Sequence, residues 1–233
     1  MLKEQEKELA AWTKKQEKKK KKGEPYNSVM QVKPLDVQLS ASSQFDPDQN
    51  VIFSFPTPLA KVDTAAIHLY AKHDTLWYRA PMEFLPLENR KYELRGEWRP
   101  DIEYSLEVDS AAFEDIYGLA SKPIKQGFKV NSLDTYGTLL VNIPSLPAQP
   151  LLVQLLDSQD KMVKETKTVN GVAEFYYLKP QKYYMRLIVD RNNNGKWDTG
   201  NYDSDQQAEE VYYYPEAIEC KAKWDLTESW DPL

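Results

Sequence analysis

A strict alternation of apolar and polar residues, broken at short intervals by proline and glycine, constrains the fold of this chain more than any other feature. The alternation is clearest in Val51–Phe55, Ile67–Ala71 and Tyr104–Val108. Successive side chains of a β-strand point to opposite faces, so a period of two is typical of a half-buried strand. Short strands separated by such breakers favour an antiparallel sandwich over a parallel α/β fold. We therefore predict an all-β chain.

The second half of the chain repeats this pattern. Leu139, Val141 and Ile143 alternate with other residues, and the ranges 151–156, 161–169 and 183–189 are predicted as further strands. Asn170-Gly171 between two such runs is a strong signal for a β-hairpin turn. A length of 233 residues accommodates two cores of roughly 100 residues each. We predict two tandem sandwiches, at 26–134 and 135–233, with a short helix possible only at Ser110–Tyr117.

The first 25 residues differ from the rest and are predicted to be a charged helical linker. Residues 1–22 are predicted as a helix that ends at Gly23-Glu24-Pro25. Residues 1–23 carry nine lysines and four glutamates, a net charge of +5. Since the net charge of the whole chain is −6, the remaining residues carry −11. The run of lysines at 18–22 is typical either of a membrane or nucleic-acid patch or of a solvated linker. Few apolar residues accompany it, which favours the linker, and the acidic remainder argues against a nucleic-acid partner.

The composition also limits location and redox chemistry. No apolar run approaches the roughly 20 residues that a membrane span needs, and the first residues run directly into charge. We expect a cell-envelope location, at the outer-membrane surface or in the periplasm, reached through a targeting signal or anchor upstream of this chain. A single cysteine, Cys220, excludes an internal disulfide.

One stretch has the spacing of a metal-binding loop, and it runs from Asp190 to Gly200. A twelve-residue calcium loop supplies oxygens from positions 1, 3, 5, 7, 9 and 12, with glycine at position 6. With Asp190 at position 1, the candidate calcium ligands are Asp190, Asn192, Asn194, the backbone carbonyl of Lys196, and Asp198. Gly195 takes position 6, while position 12 is Asn201 instead of the usual glutamate. With two firm carboxylates the affinity should be weak, on the order of 10⁻⁴–10⁻³ M, unless Asp203 or Asp205 contributes.

The same residues also describe a turn without an ion. Asparagine and aspartate bond to their own backbone in Asx turns and tolerate left-handed conformations, so this loop can be capped by its own side chains. Trp197 would then pack the loop onto the sheet. The sequence leaves both readings open.

The many aromatic residues offer a second kind of candidate site. Rings that stack on sugars are conceivable at Trp77-Tyr78, Trp98, Tyr176-Tyr177, Tyr183-Tyr184 and 212–214. Adjacent residues on a strand point to opposite faces, so about half of these rings are expected in the core. Trp224 and Trp230 are predicted to cover the end of the second sandwich.

No catalytic constellation stands out, and we predict that the chain is not an enzyme. His68 and His73 are five residues apart, which places them on opposite faces of one strand and excludes a metal pair. No Ser-His-Asp arrangement and no pair of buried carboxylates has motif support. Catalytic residues are therefore predicted to be none.

Two segments resemble known families. Val51–Leu59 and Asp109–Gly118 are similar to segments of bacterial Ig-like domains of the S-layer type, over about residues 29–133. Phe175-Tyr176-Tyr177-Leu178-Lys179-Pro180-Gln181-Lys182-Tyr183 resembles the corner of transthyretin-like (prealbumin-like) sandwiches, the carboxypeptidase-regulatory and collagen-adhesin B types, over about residues 135–230. Gln181 stands where those families usually have glycine. The strand 137–143 lacks the lysine that collagen-adhesin B domains cross-link.

Together the two halves resemble the C-terminal part of Ig-like surface lipoproteins of Gram-negative bacteria. The resemblance implies a non-catalytic spacer, scaffold or protein-docking module, with a protein or envelope component as its partner. The alternative is an accessory carbohydrate-binding module of a glycan-utilisation system. Neither reading requires a cofactor beyond the candidate calcium ion.

Overall fold

The computed structural model describes residues 2–27, 33–146 and 150–232. Strands hold 47% of the chain and helix 9%. The predicted all-β sandwich class, preceded by a helix, is confirmed.

The elements follow one another in a simple order. A single α-helix, α1 (Leu2–Lys21), precedes all the strands of the described chain. The first eleven strands are β1 (Gln38–Leu39), β2 (Gln44–Phe45), β3 (Val51–Ser54), β4 (Leu59–Val62), β5 (Ile67–His73), β6 (Leu76–Arg79), β7 (Met82–Leu87), β8 (Lys91–Gly96), β9 (Glu103–Val108), β10 (Phe113–Asp115) and β11 (Ile124–Val130). The remaining strands are β12 (Gly137–Asn142), β13 (Leu151–Leu156), β14 (Met162–Lys167), β15 (Val172–Leu178), β16 (Gln181–Val189), β17 (Val211–Tyr213), β18 (Ile218–Cys220) and β19 (Asp225–Ser229). Short 3₁₀ helices lie at Thr64–Ala66 and Leu133–Thr135.

Helix α1 carries four lysines in its last turn, Lys18 to Lys21, where positive charge interacts favourably with the negative end of the helix dipole. The predicted helix at 1–22 therefore forms over Leu2–Lys21. Among the described residues, no helix is long and apolar enough to cross a membrane.

The first hydrophobic core lies between two sheets. One has the order β1-β3-β8-β7 and the other β2-β11-β9-β5-β6, with β10 and β4 forming a two-stranded sheet. Val51, Phe53 and Leu94 face the core from the first sheet, and Leu69 and Leu106 face it from the second. The inward and outward alternation read from the sequence is therefore the one that builds this sandwich.

The second hydrophobic core lies between the sheet β15-β12-β19 and the sheet β14-β13-β16-β17, with β18 paired to the start of β16. Leu139 and Phe175 enter the core from the three-stranded sheet, and Val153 and Leu187 enter it from the other. The two buried clusters have no residue in common. The proposed domain limits at residues 25 and 134 remain a prediction.

Two sequence motifs in the second half of the chain form turns in the structure. Asn170 and Gly171 both have positive φ, 53° and 76°, and Val169 pairs with Val172 across them. Positive φ at both central residues is the requirement of the type I′ hairpin turn that the Asn-Gly pair predicts. At the transthyretin-like corner, the hydroxyl of the buried Tyr183 donates to the carbonyl of Lys179 at 2.9 Å.

The short helix considered at Ser110–Tyr117 is wrong. This segment holds strand β10, which pairs antiparallel with β4 and buries Phe113 completely. Buried Asp115 closes the following turn by accepting the N–H groups of Tyr117 (2.9 Å) and Leu119 (2.8 Å). The pairing partner of β10 and the Asp115 side chain satisfy the backbone groups that a helix would have satisfied internally.

Candidate functional site

The Asp190–Gly200 loop begins where β16 ends, and it is closed by the side chain of its first residue. Asp190 is only 1% exposed. Its Oδ1 accepts the N–H of Asn194 at 2.9 Å, and its Oδ2 accepts the N–H of Gly195 at 2.8 Å. Gly195 has φ of 78°, a left-handed conformation that glycine adopts without steric cost. Asp190 thus fixes a tight turn at the end of the strand.

Two asparagines continue this pattern. Asn192 Oδ1 accepts the N–H of Asn194 at 3.0 Å, and Asn194 Oδ1 accepts the N–H of Lys196 at 2.8 Å. The Nδ2 groups of both asparagines donate to Asp198 Oδ2. The structure therefore brings together the side chains of Asp190, Asn192, Asn194 and Asp198, and Lys196 joins through its backbone.

Glu209, which the sequence does not single out, holds both ends of the loop by hydrogen bonds. Its carboxylate accepts the N–H of Arg191 at 2.9 Å and that of Asp198 at 3.0 Å. Its carbonyl accepts the indole N–H of Trp197 at 3.0 Å. Glu209 is 7% exposed and lies just before β17, the strand beside β16. Because this contact depends on strand pairing, the spacing of the loop motif contained no signal for it.

The residues proposed to replace the missing ligand at position 12 lie elsewhere. Asn201 pairs with Gln206 in an isolated bridge, and Asp203 and Asp205 are exposed in the turn between them. The ammonium group of Lys167 lies 3.8 Å from Asp190 Oδ2 and donates to Asn193 Oδ1 at 3.0 Å. This positive charge opposes a cation at the same carboxylate.

The donor set is compatible with calcium in type but is arranged for a self-closed turn. Carboxylate and amide oxygens are the ligands that calcium prefers, yet here the amide nitrogens, not the oxygens, face Asp198. An ion at Asp198 would require both asparagine amides to turn over. Within residues 2–27, 33–146 and 150–232, no three His, Cys, Asp or Glu side chains are grouped closely enough to hold a metal. Calcium binding here stays a prediction.

The aromatic candidates divide between core and surface. Trp98, one of the rings for which both a core and a surface position were left open, packs against the first core. Its ring contacts Phe45, Tyr104 and Phe128 edge-on at centroid distances of 5.2–5.6 Å, and its indole N–H donates to Asn50 at 3.0 Å. By contrast, the side chain of Trp77 is 46% exposed. Trp77 and Trp98 therefore do not form one stacking platform.

The rule that adjacent strand residues alternate holds for one tyrosine pair and fails for another. Tyr183 is buried and Tyr184 is exposed, but Tyr176 and Tyr177 are both exposed. The β12–β15 pairing shifts register at this point, and Tyr177 has a φ of 57°. Such a bulge re-aims a side chain. The predicted cover of the second core is provided by Trp230, which is buried, whereas Trp224 is exposed.

The two histidines lie in separate surroundings. His68 Nε2 lies 3.2 Å from Asp109 Oδ2, while His73 lies beside Asp74 at the exposed end of β5. The two rings form separate contacts and do not share a site.

A second polar cluster, the Asp46 junction, connects the two hydrophobic cores, and we define it as Asp46, Asn131, Tyr136 and Lys179. Asp46 is 7% exposed. Its carboxylate accepts the Tyr136 hydroxyl at 2.6 Å and Asn131 Nδ2 at 3.0 Å, and Lys179 Nζ lies 2.6 Å away. Asp46 follows β2 of the first sandwich, and Lys179 follows β15 of the second. No motif or periodicity in the sequence predicts this contact.

The electrostatics of the junction follow from burial and hydrogen bonding. Burial alone would raise the pKa of Asp46, but bonds from Lys179, Tyr136 and Asn131 outweigh it and hold the pKa below its usual value of 3.8. Burial, together with the bond to Asp46, raises the pKa of Tyr136 well above its usual value. Asp46 therefore carries its charge, and Tyr136 its proton, over the neutral range.

Two further contacts flank the junction. Lys164, on β14, forms an ion pair with Asp48 and also donates to the carbonyl of Tyr176. The Tyr177 ring packs edge-on against Tyr136 at 5.9 Å between centroids. The bulge in β15 thus directs Tyr177 to the place where the two cores meet.

Comparison with known proteins identifies no family. No family model matches the chain, and no curated protein matches it. Among solved structures, it is similar to native alpha-2-macroglobulin from Escherichia coli spanning domains MG0-NIE-MG1, with a TM-score of 0.38 and 9% identity over 82% of this chain and 91% of that one. It is also similar to BcpA, the major pilin subunit of Bacillus cereus (TM-score 0.27, 11% identity, 86% and 70% coverage). The Bacillus anthracis TIE protein gives a TM-score of 0.28 and 8% identity over 88% of this chain and 41% of that one. At these scores, none of the three transfers an activity or a partner to this chain.

Proposed function

We propose that this chain is a non-catalytic structural module of a larger bacterial cell-envelope protein, acting as a rigid spacer or scaffold that presents surfaces to a protein partner. The observation that carries the proposal is the Asp46 junction. A flexible tether between two sandwiches needs no buried charge, whereas this junction places one between the two cores and supplies it with three partners.

The energetics of the junction support a fixed relation between the two cores. A hydrogen bond to a charged group contributes roughly 1.5–3 kcal/mol, and removing one partner of a buried charge costs more than the bond itself. Asp46 therefore favours one arrangement of Tyr136 and Lys179 over all others. The left-handed backbone of Tyr177 is a strained conformation that persists only where its surroundings enforce it. Its ring packs at this same junction.

The buried carboxylates of Asp46 and Asp115 are held as structural acceptors and not as proton donors. A catalytic acid at neutral pH needs a raised pKa. Burial opposes ionisation of Asp115, yet bonds from Thr57 and from the N–H groups of Leu119 and Tyr117 hold its pKa below the usual value. Asp46 behaves in the same way. Both groups remain ionised acceptors, which supports the non-enzymatic reading.

A surface for a partner is offered by β6, the edge strand of the five-stranded sheet. All four of its residues are exposed, including Leu76, Trp77 and Tyr78. Edge strands present unpaired backbone groups to which a strand of another chain can add, and apolar side chains strengthen such contacts. The envelope location completes the proposal, and it rests on the sequence resemblance.

Small-angle X-ray scattering tests the rigid junction. We expect the wild-type chain to give the distance distribution of a single fixed arrangement, and Asp46→Ala combined with Tyr136→Phe to broaden it. Asp134→Ala is the matched control, because Asp134 is an exposed aspartate near the junction whose ion pair with Lys223 lies at the surface. Tyr136→Phe alone, which removes one hydroxyl, gives a milder variant if the double variant folds poorly. A wild-type distribution already as broad as that of the double variant would refute the proposal.

A further inference from the structure

The outward face of the five-stranded sheet carries a groove that the spacer role does not use. We define this groove by Tyr70 on β5, Trp77 on β6, Ser105 and Glu107 on β9, and Lys125 and Gly127 on β11. Two adjoining depressions, of about 400 Å³ and 470 Å³, lie along it. Trp77, Ser105 and Lys125 border both, so the depressions form one continuous feature.

The floor of the groove consists of two small residues placed side by side. Tyr70 pairs with Ser105 across β5 and β9, and Ser105 pairs with Gly127 across β9 and β11. Side-chain size therefore decreases along this row, from the Tyr70 ring to the Ser105 hydroxyl and to Gly127, which has no side chain. This decrease in size forms the groove across the middle of the sheet.

The backbone at Gly127 does not require glycine. Its φ lies outside the left-handed region, and a Cβ added there would meet only the Tyr104 carbonyl, at an ordinary 3.9 Å. Glycine inside a strand weakens the strand, and it is found where a ligand or another backbone approaches closely. The residues described near Gly127 include no backbone that approaches it in this way. The missing side chain therefore leaves space for a ligand above the sheet.

The charges beside the groove are mutually neutralised. Lys72 pairs with Glu103 at 2.7 Å, and Lys125 pairs with Glu107 at 2.7 Å. Hydrogen bonding from Lys72 and from Lys125 lowers the pKa of Glu103 and of Glu107, respectively, so both pairs are ionised at neutral pH. A polyanion would meet the two glutamates, and a polycation would meet the two lysines. The groove suits an uncharged ligand with many hydroxyl groups.

We propose that this groove binds a neutral polysaccharide, with a pyranose ring against the Trp77 indole and its hydroxyls bonded to Glu107 and Lys125, above the buried Ser105. The exposed indole offers an apolar face to the C–H groups of a sugar, and the carboxylate and ammonium groups supply acceptors and donors for its hydroxyls. A peptide strand could not pair with the backbone of the groove floor, because β9 is already paired on both sides, with β11 and β5. The inference goes beyond the spacer role, since a rigid spacer needs no such groove.

Affinity gel electrophoresis with the intact chain tests this site. The gels contain soluble starch, laminarin, xyloglucan or galactomannan as neutral probes, and heparin as the anionic comparison. We expect at least one neutral probe to retard the wild-type chain, and Trp77→Ala to weaken that binding by about tenfold, because it removes the aromatic face against which the sugar lies. Gly127→Leu should abolish it by filling the groove.

Two variants control for folding and for nonspecific aromatic contact. Gly127→Ala adds only a methyl group where there is space, so it should fold and bind more weakly than the wild type. Tyr213→Ala removes an exposed strand aromatic from the second sandwich and should leave retardation unchanged. Retardation by none of the neutral probes, retardation by heparin alone, or wild-type affinity in Gly127→Leu would each overturn the proposal. Each of these outcomes leaves the scattering test of the junction unaffected.

Discussion

At the scale of single residues, aspartates define the turns of this chain by accepting from their own backbone. Asp115 accepts two N–H groups from the residues that follow it, and Asp157 accepts the N–H groups of Gln159 and Lys161. Asp190 does the same at the end of β16. In each case a short polar side chain takes the place of a backbone acceptor. The loop at Asp190 differs from the others because Asn192, Asn194, Asp198 and Glu209 add further oxygens around it.

The additional oxygens around Asp190 are the reason to test this loop for calcium binding. We expect millimolar calcium to raise the melting temperature of the wild-type chain slightly, because weak binding to the folded state stabilises it by mass action. Asp190→Ala should abolish the rise. Lys167→Gln should enlarge it, since it removes a positive charge 3.8 Å from Asp190. Differential scanning calorimetry with calcium and with a chelator measures both effects. Identical melting curves for the wild type in the two conditions would leave the self-closed turn as the sole account of the loop.

At the scale of elements, close approach between strands is visible at the start of β12. A Cβ at Gly137 would lie 2.6 Å from Cys220 Sγ and 2.7 Å from the Lys221 carbonyl. Such contacts cannot be relieved by rotating a flexible side chain, because one partner is backbone. Glycine at this position therefore lets the chain after β18 pass directly over β12. Gly127 has no comparable neighbour.

The two glycines give opposite predictions for the same substitution. Gly137→Ala should destabilise the chain by about 1–3 kcal/mol, the usual range for an overpacked site. Gly127→Ala should be neutral or stabilise by up to about 1 kcal/mol, because it restricts the unfolded chain without a clash. Urea unfolding followed by tryptophan fluorescence measures both. Equal destabilisation by the two substitutions would contradict the packing described for β12.

Elements were more predictable from the sequence than their contacts. The ranges 51–55, 67–71, 104–108 and 151–156 all contain strands. They could be predicted because a strand with one buried face shows an apolar residue at every second position. The short helix considered at Ser110–Tyr117 does not form, because this strand gains stability from β4, which is remote in sequence. The sequence left the position of Trp98 open, because nothing local indicates the aromatic cluster around Phe45. The side chains that close the Asp190–Gly200 loop were found by their spacing, whereas Glu209 reaches them only through the pairing of β16 with β17.

At the scale of the whole molecule, two hydrophobic cores are linked by a small set of polar contacts. Asp46 and Lys179 lie far apart in the sequence, and no periodicity or motif relates them. Apolar burial accounts for each core separately, but it does not set the orientation of one to the other. Under the proposed function the buried charge of Asp46 sets that orientation, so we expect the rigidity of the molecule to depend on pH.

The direction of this dependence follows from the pKa shifts at the junction. The pKa of Asp46 is lower in the folded state than the usual 3.8, so its stabilising contribution is complete above that value and is lost as the pH falls through the folded pKa. The pKa of Tyr136 is raised, so its contribution is complete below the usual 10.0 and is lost only as the pH rises through the higher folded pKa. The junction should therefore be intact between these limits and should loosen first on the acid side.

Acidification should thus separate the two cores before either unfolds. In the wild type, we expect the side-chain amide resonance of Asn131, which donates to Asp46, to shift as the pH falls below about 3.8, together with a broader distance distribution in small-angle scattering. Asp46→Asn removes the titrating group, so its scattering should already be broad at neutral pH and should change little on acidification. Asp134→Asn, at the exposed ion pair with Lys223, should retain the wild-type transition. If Asp46→Asn kept a narrow distribution at neutral pH and broadened in acid as the wild type does, then another group would control the junction, and the buried charge of Asp46 would not be what orients the two cores.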